Sequence, residues 1–228
     1  TVLQRDFDSL YADPDAALEP LGLSFRDYVL ALAQFRETAD YQRSLAYWDA
    51  RSLTLPARPE LPLAKAPGSI EHPRFVRRHD SLDPETWGAL QRKAEAFGLT
   101  QNGLLLAAYV DVLATWSRRS RFLLNLTLFN RLPVHPRVND LVGDFTSITL
   151  LDVELLPAES FLDLGRKLLG RLWEDLDHRF VSGVQVLRRL AREQPDRVQG
   201  AAPVVLTSTL GFGGAPADRS DLARRTEA

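Results

Sequence analysis

Three short stretches carry polar side chains inside apolar frames. "TLFNRLPVHP" ends an alternating run on Asn130 and Arg131. "NDLVGDFTSITLLDV", Asn139 to Val153, sets Asp144 between Gly143 and Phe145, with Thr146 leading into an apolar segment. "VLTST" holds Thr207 and Ser208, and strand alternation puts Thr207 on one face with Val205 and Thr209 and Ser208 on the other with Leu206. A carboxyl group exchanges protons, a carboxamide donates to a developing oxyanion, and hydroxyls orient both. Strand termini are where rigid scaffolds mount such groups. Turn chemistry and edge hydrogen bonding are the competing reading of the same residues.

Other chemistries find less support. His72, His79, His135 and His178 are scattered, with none at a ligand spacing, and there is no cysteine to supply a thiolate, a disulfide or a nucleophile. No GxSxG elbow surrounds Ser208. "GFGG" near the end lacks the third glycine, the following helix and the lysine of a phosphate loop. "SRRSR" at 117–121 reads as a helix exit, its cations facing the C-terminal dipole. "DSLYAD" sets Asp8 and Asp13 on different faces of any helix, with Pro14 next, and reads as a helix end with a turn.

The 228 residues can bury a sizeable core, and 45% hydrophobic with 25% charged residues is ordinary globular usage. A net charge of -2 gives no electrostatic footprint for nucleic acid or an anionic membrane, and no apolar run approaches a bilayer-spanning length. The absence of cysteine is compatible with a reducing cytoplasm, which is the expected location. The chain starts at Thr1 without any methionine, and its lysines stand only at positions 65, 93 and 167. The expectation is a piece of a longer polypeptide.

The elements that must position these groups follow from periodicity. "LSFRDYVLALAQFRETADYQRSLAYWDARS" reads as helical, opened by a capping box of Ser24 and Asp27. "LTLPARPELPLAKAPG" is an extended loop, because each proline removes a donor and biases its predecessor away from helix. "RFVRRHDSL" is an expected strand. Next comes a helix capped by Asp83, with Pro84 in its first turn and Gly98 as its stop. "TQNGLLLAAYVDVLATWS" is a largely apolar helix with its stripe expected on Leu104, Leu105, Ala108, Val112 and Trp116. "RFLLNLTLFN" alternates as a strand, with Thr127 beside Asn125 on the polar side. The corner at Asp144 enters a second strand. A helix over "ESFLDLGRKLLGRLWEDLDHRF", capped by Ser160 and Asp163, a short helix over "VQVLRRLARE" and a strand over "PVVLTSTLG" complete the chain. Strands mixed with long helices and no repeat make an α/β, α+β-layered fold.

"LPARPELPL", "LLLAAYVDVLATWS", "VGDFTSITLLDV" and "PVVLTSTLG", in this order, resemble successive signature motifs of the heterocyclization domains of nonribosomal peptide synthetases. The resemblance spans roughly residues 1 to 211, and "GDFT" with "PVV-TS" separates this branch from ordinary condensation domains. It implies a chloramphenicol acetyltransferase-like lobe with a mixed sheet flanked by helices. Residues 1–52 would be a connecting helical segment from the N-terminal lobe, 53–211 the C-terminal lobe and 212–228 a divergent tail. It also implies an activity: condensing a carrier-bound acyl or peptidyl thioester with Cys, Ser or Thr, then cyclodehydrating the product to a thiazoline or oxazoline. Asn130 and Ser208 match motif positions tied to activity. Asp144, with a pKa raised by a poorly solvated setting, would exchange the proton. Thr146, Thr127, Thr207 and Ser208 would orient it or line the substrate tunnel, and Phe145 would also bind substrate. The assignments of Thr127 and Thr207 rest on the residues themselves and not on the resemblance. No metal or directly bound cofactor is implied, since phosphopantetheine arms arrive on the upstream and downstream carrier proteins. Further partners would be the missing N-terminal lobe and an adjacent adenylation domain. This chain alone would be inactive. The alternative is a non-catalytic lobe that docks carrier proteins or neighbouring domains.

Overall fold

In a computed structural model of the chain, residues 2–193 and 202–210 are described. The expected divergent tail at 212–228 lies outside them. Helices α1 (Val2–Ala12), α2 (Phe25–Phe35), α3 (Ala39–Ser52), α4 (Pro84–Ala96) and α5 (Gln101–Trp116) precede strands β1 (Arg121–Phe129) and β2 (Thr146–Glu154). Helices α6 (Phe161–Asp177) and α7 (Gly183–Glu193) and the short strand β3 (Val205–Leu206) follow. The sheet has the order β2-β1-β3, with β1 antiparallel to β2 and parallel to β3, and is therefore mixed.

Both faces of the sheet are covered, and the sequence of β1 shows why. Phe122, Leu124 and Leu126 point to one face, where they pack with Leu151 and Val153 of β2, Leu106, Ala107 and Val110 of α5, and Leu164 and Leu168 of α6. Leu123 points to the other, joining Leu150, Trp48 of α3, and Val186 and Leu190 of α7. Full burial of each such side chain contributes about 1.5–3 kcal/mol. A strand buried on both sides needs a continuous apolar run, which "FLL" supplies. A third cluster, Tyr28, Val138, Leu141 and Phe145, pins α2 to the excursion between β1 and β2.

Local signals set the helix ends. Ser24 and Asp27 form the expected capping box. Asp83 caps α4 and accepts from Thr86 N, with Pro84 at the first turn, and Gly98 stops the helix at φ +72, a left-handed conformation that costs glycine little. Ser160 caps α6. The long helical segment divides at residues 36–38, where Thr38 caps α3. Helix α1 ends at Ala12, and Asp13 lies in the following turn, accepting from Asp15 N at 3.1 Å.

Three expectations need correction. Residues 74–82 form no strand: Phe75 is 96% and Val76 78% exposed, and no neighbouring backbone pairs with them among the described residues. In α5 the buried stripe is Gly103, Leu106, Ala107 and Val110, whereas Leu105, Val112 and Trp116 are exposed. Helix α5 is apolar nearly all round, so its composition gives little direction and the packing of α6 decides the face. Finally, β3 spans only Val205–Leu206, so the strand alternation expected for Thr207 and Ser208 stops before it reaches them.

Candidate functional site

Antiparallel pairing puts the end of β1 beside the start of β2, with Phe129 opposite Thr146. One residue on, Asn130 N donates to Phe145 O at 2.9 Å. The excursion between the strands therefore begins and ends at one point, and it brings Asn130, Asp144, Phe145 and Thr146 to the wall of one cavity of about 350 Å³. Tyr28, Tyr41, Arg179, Ser182 and Gln185 complete much of the lining.

Phe145 is the anchor of this corner. It is 8% exposed and meets Tyr28 and Phe25 edge-on at centroid distances of 4.9 and 5.5 Å. The Arg131 guanidinium covers its ring at 3.8 Å while donating to the carbonyls of Val138 and Leu141. Gly143 is required here, because a Cβ would lie 2.2 Å from the Phe25 ring. Tyr28 Oη donates to Asn130 O at 3.3 Å and accepts from Leu132 N at 3.1 Å. The Asn130 carboxamide donates from Nδ2 to Arg179 O at 3.0 Å. An amide nitrogen carries two hydrogens, so that contact leaves a second donor for the cavity.

Asp144 departs from expectation. Its carboxylate is exposed and accepts from Thr146 N at 2.8 Å. Hydrogen bonds from the Thr146 side chain and then its backbone hold its pKa below the usual carboxylate value. The expected upward shift needed a poorly solvated setting, and the exposed corner does not provide one.

The remaining site residues lie elsewhere. Thr127, Thr207 and Ser208 line a second, mostly apolar groove of about 350 Å³ between α5, α6 and the β1–β3 edge. The hydroxyls of Thr127 and Thr207 meet at 2.8 Å, and Ser208 Oγ donates to Asn102 Oδ1 at 2.5 Å. Asn102, one residue into α5, was not singled out from the sequence. Its only signal is a polar side chain in the first turn of an apolar helix.

Also missed was a buried ionic cluster between α3 and the end of α6. Asp175 is 0% exposed and accepts from Tyr47 Oη at 2.8 Å and from Arg51 Nη1. Arg51 Nη1 also donates to Tyr47 Oη at 2.8 Å. Burial pushes the Asp175 carboxyl up to about 6, although Arg51 and Tyr47 pull it back. Burial, then the bond to Asp175, pushes the Tyr47 phenol up to about 12. Burial, and then the nearby Arg43 charge, lowers the neighbouring His178. No group of three or more His, Cys, Asp or Glu with metal-holding geometry occurs among the described residues, and no single helix among them is long and apolar enough to cross a membrane.

A mixed sheet with helices on both faces and polar groups at its strand ends matches a known family. Residues 1–198 match the condensation domain family, and the chain belongs to it. Within it the likeness is to members that carry heterocyclization. The chain is 44% identical to the EpoB cyclization-docking bidomain from Sorangium cellulosum, with a TM-score of 0.80 over 90% of this chain and 42% of that one. It is 41% identical to phenyloxazoline synthase MbtB of Mycobacterium tuberculosis over 219 residues, 93% of this chain and 15% of the synthase. It is also 41% identical to bacitracin synthase 1 of Bacillus licheniformis over 209 residues, 91% of this chain and 4% of that protein. The chain thus spans a small part of the curated relatives it matches.

Proposed function

We propose that this chain works as part of a nonribosomal peptide synthetase heterocyclization domain. The observation that carries the reading is the convergence of Asn130, Asp144 and Thr146 on one cavity where β1 ends and β2 begins. In the first step the amine of a carrier-bound Cys, Ser or Thr attacks the acyl thioester carbon. The amide C–N bond forms, the C–S bond breaks and the donor thiol leaves. In the second step the side-chain thiol or hydroxyl attacks the new amide carbon, giving a tetrahedral oxyanion. That oxygen then departs as water, the nitrogen loses its hydrogen and C=N forms.

Asp144, ionised at neutral pH, is suited to take the proton of the attacking group. Returning a proton to the departing oxygen is harder for a carboxyl whose pKa is lowered, so the second half of the step falls to Asp144 only in a drier setting than this one. The free Nδ2 hydrogen of Asn130 is suited to the oxyanion. Thr127, Thr207 and Ser208 belong to a separate groove, which supports a role in holding substrate. The partners of the reading are the flanking carrier proteins with their phosphopantetheine arms, the other lobe and an adenylation domain.

The test is Asp144→Asn in the intact synthetase, with products resolved by mass. The linear amide should persist while the dehydrated ring falls by about 10²-fold or more, the usual range for general acid–base loss. Normal ring formation would remove Asp144 from the mechanism. The exposed, low-pKa carboxylate also favours a second reading, a non-catalytic lobe that docks carrier or neighbouring domains. An intact wild-type protein that binds an acylated carrier but forms neither amide nor ring would select it.

A further inference from the structure

Asp175 is the only fully buried charged residue among those described; the other buried polar side chains are Ser44, Ser52 and Thr149. Its placement is costly on two counts. Taking a carboxylate out of water costs several kcal/mol, which only close partners offset. It also stands in the last turn of α6, where the helix dipole disfavours negative charge. The cluster does not satisfy every group: Arg51 Nη2, Asp175 Oδ2 and His178 Nδ1 are buried without a hydrogen-bond partner. A well-packed apolar trio of the same volume is often at least as stable as such a pair. Net stability therefore does not account for it.

What the cluster does accomplish is positional. Both hydrogen-bond partners of Asp175 come from α3, so the last turn of α6 is tied to that helix. The chain leaves α6 at His178, whose ring stacks on Tyr47 at 3.9 Å and 17°. The His178 carbonyl accepts from Trp48 Nε1, again on α3, at 3.0 Å. The next carbonyl, that of Arg179, receives Asn130 Nδ2. Tyr47, Trp48 and Arg51 thus hold Asp175 and His178, which precede this carbonyl in the chain, and Arg179, Phe180 and Ser182 line the same cavity as Asn130.

We propose that Asp175, with Tyr47 and Arg51, is a positioning group for Asn130, acting through the carbonyl of Arg179. The inference rests on the role given above to Asn130. Loosening the end of α6 frees the Arg179 carbonyl, and the Asn130 carboxamide then turns out of its orientation.

The experiment uses the intact synthetase with Asp175→Asn and Tyr47→Phe. The second variant keeps the buried ring, loses only the hydroxyl and covers the case in which the first does not fold. Solvent exchange of the Asn130 carboxamide hydrogens, followed by NMR, should be about tenfold faster in either variant, as loss of one hydrogen-bond constraint implies. An unchanged exchange rate overturns the inference. Product formation is then measured for Tyr47→Phe in the wild-type and Asn130→Ala backgrounds. A positioning role slows the first and leaves the second unaltered, while an equal loss in both is the signature of general destabilisation and overturns it. Undiminished product formation by Asn130→Ala itself overturns both the inference and the role of Asn130. A wild-type protein that forms amide without ring overturns only the heterocyclization reading, and the exchange comparison still decides the inference.

Discussion

Asp144 and Asp175 are two carboxylates in one small fold with opposite surroundings. Asp144 stands in water at the mouth of a cavity, held by the residue two places on, and folding lowers its pKa. Asp175 is fully buried in the last turn of α6, reached by a guanidinium and a phenol from the far side of the sequence, and folding raises its pKa. A local hydrogen bond costs the chain little and leaves the group free to meet a substrate. A remote ion pair taken out of water fixes geometry and withdraws its group from chemistry.

The largest expected effect lies at the buried member. Asp175→Ala leaves the Arg51 guanidinium largely buried without its partner, and urea unfolding should record a loss of about 3–5 kcal/mol. A loss near zero would mean that water reaches the cluster and that the contrast with Asp144 is one of degree.

The next effect is a difference in sign. Asp175 rises to about 6 in the folded chain from about 3.9 unfolded, so its contribution to stability is present below about pH 4 and is lost as pH rises through about 6. Asp144 is shifted downward, so its contribution is present above its unfolded value and is lost as pH falls through the folded one. Unfolding free energies across this range should therefore carry a term that falls between pH about 4 and about 6. Asp175→Asn should remove it, and Asp144→Asn should leave it standing. If the term survives Asp175→Asn, the raised carboxyl is a different one.

The smallest effect is on stability at neutral pH for Asp144→Asn. Its amide oxygen can still accept from Thr146 N and it loses only an exposed charge, so its urea curve should shift only slightly. A clear shift would make the corner a structural turn, with Thr146 as its main beneficiary.

The same contrast explains what could be read from the sequence. Asp144 was legible because everything that explains it stands beside it: Gly143, Phe145 and Thr146 are its neighbours in the chain. Helices α4 and α6 were legible for the same reason, through caps at Asp83 and Ser160. Asp175 was not, since "WEDLDH" shows three acids of which helical packing buries one, and Tyr47 and Arg51 lie 128 and 124 residues away. The buried face of α5 was hidden because its polar residues are too few to mark a side. The run "RFVRRHDSL" has strand composition, but a strand also needs a partner, and none pairs with it among the described residues. Four site residues gather as a group, Asn130, Asp144, Phe145 and Thr146, because the β1–β2 pairing closes their loop. Thr127, Thr207 and Ser208 separate from them because β3 docks on the other edge of β1.

That last docking has a consequence for how the two polar regions come into being. The cavity wall at Asn130 and Asp144 is closed by an antiparallel pairing of chain neighbours, with Phe129 against Thr146. The groove at Thr207 waits on a parallel pairing across 80 residues of chain, with α6 and α7 in between. Loop closure grows costlier with length, and non-local pairing is the slow part of folding. The groove is therefore a late, long-range product of assembly, while the Asn130–Asp144 corner forms as soon as two adjacent strands have met. The rest of the cavity waits for Tyr28 of α2 and Arg179 beyond α6 to close on it.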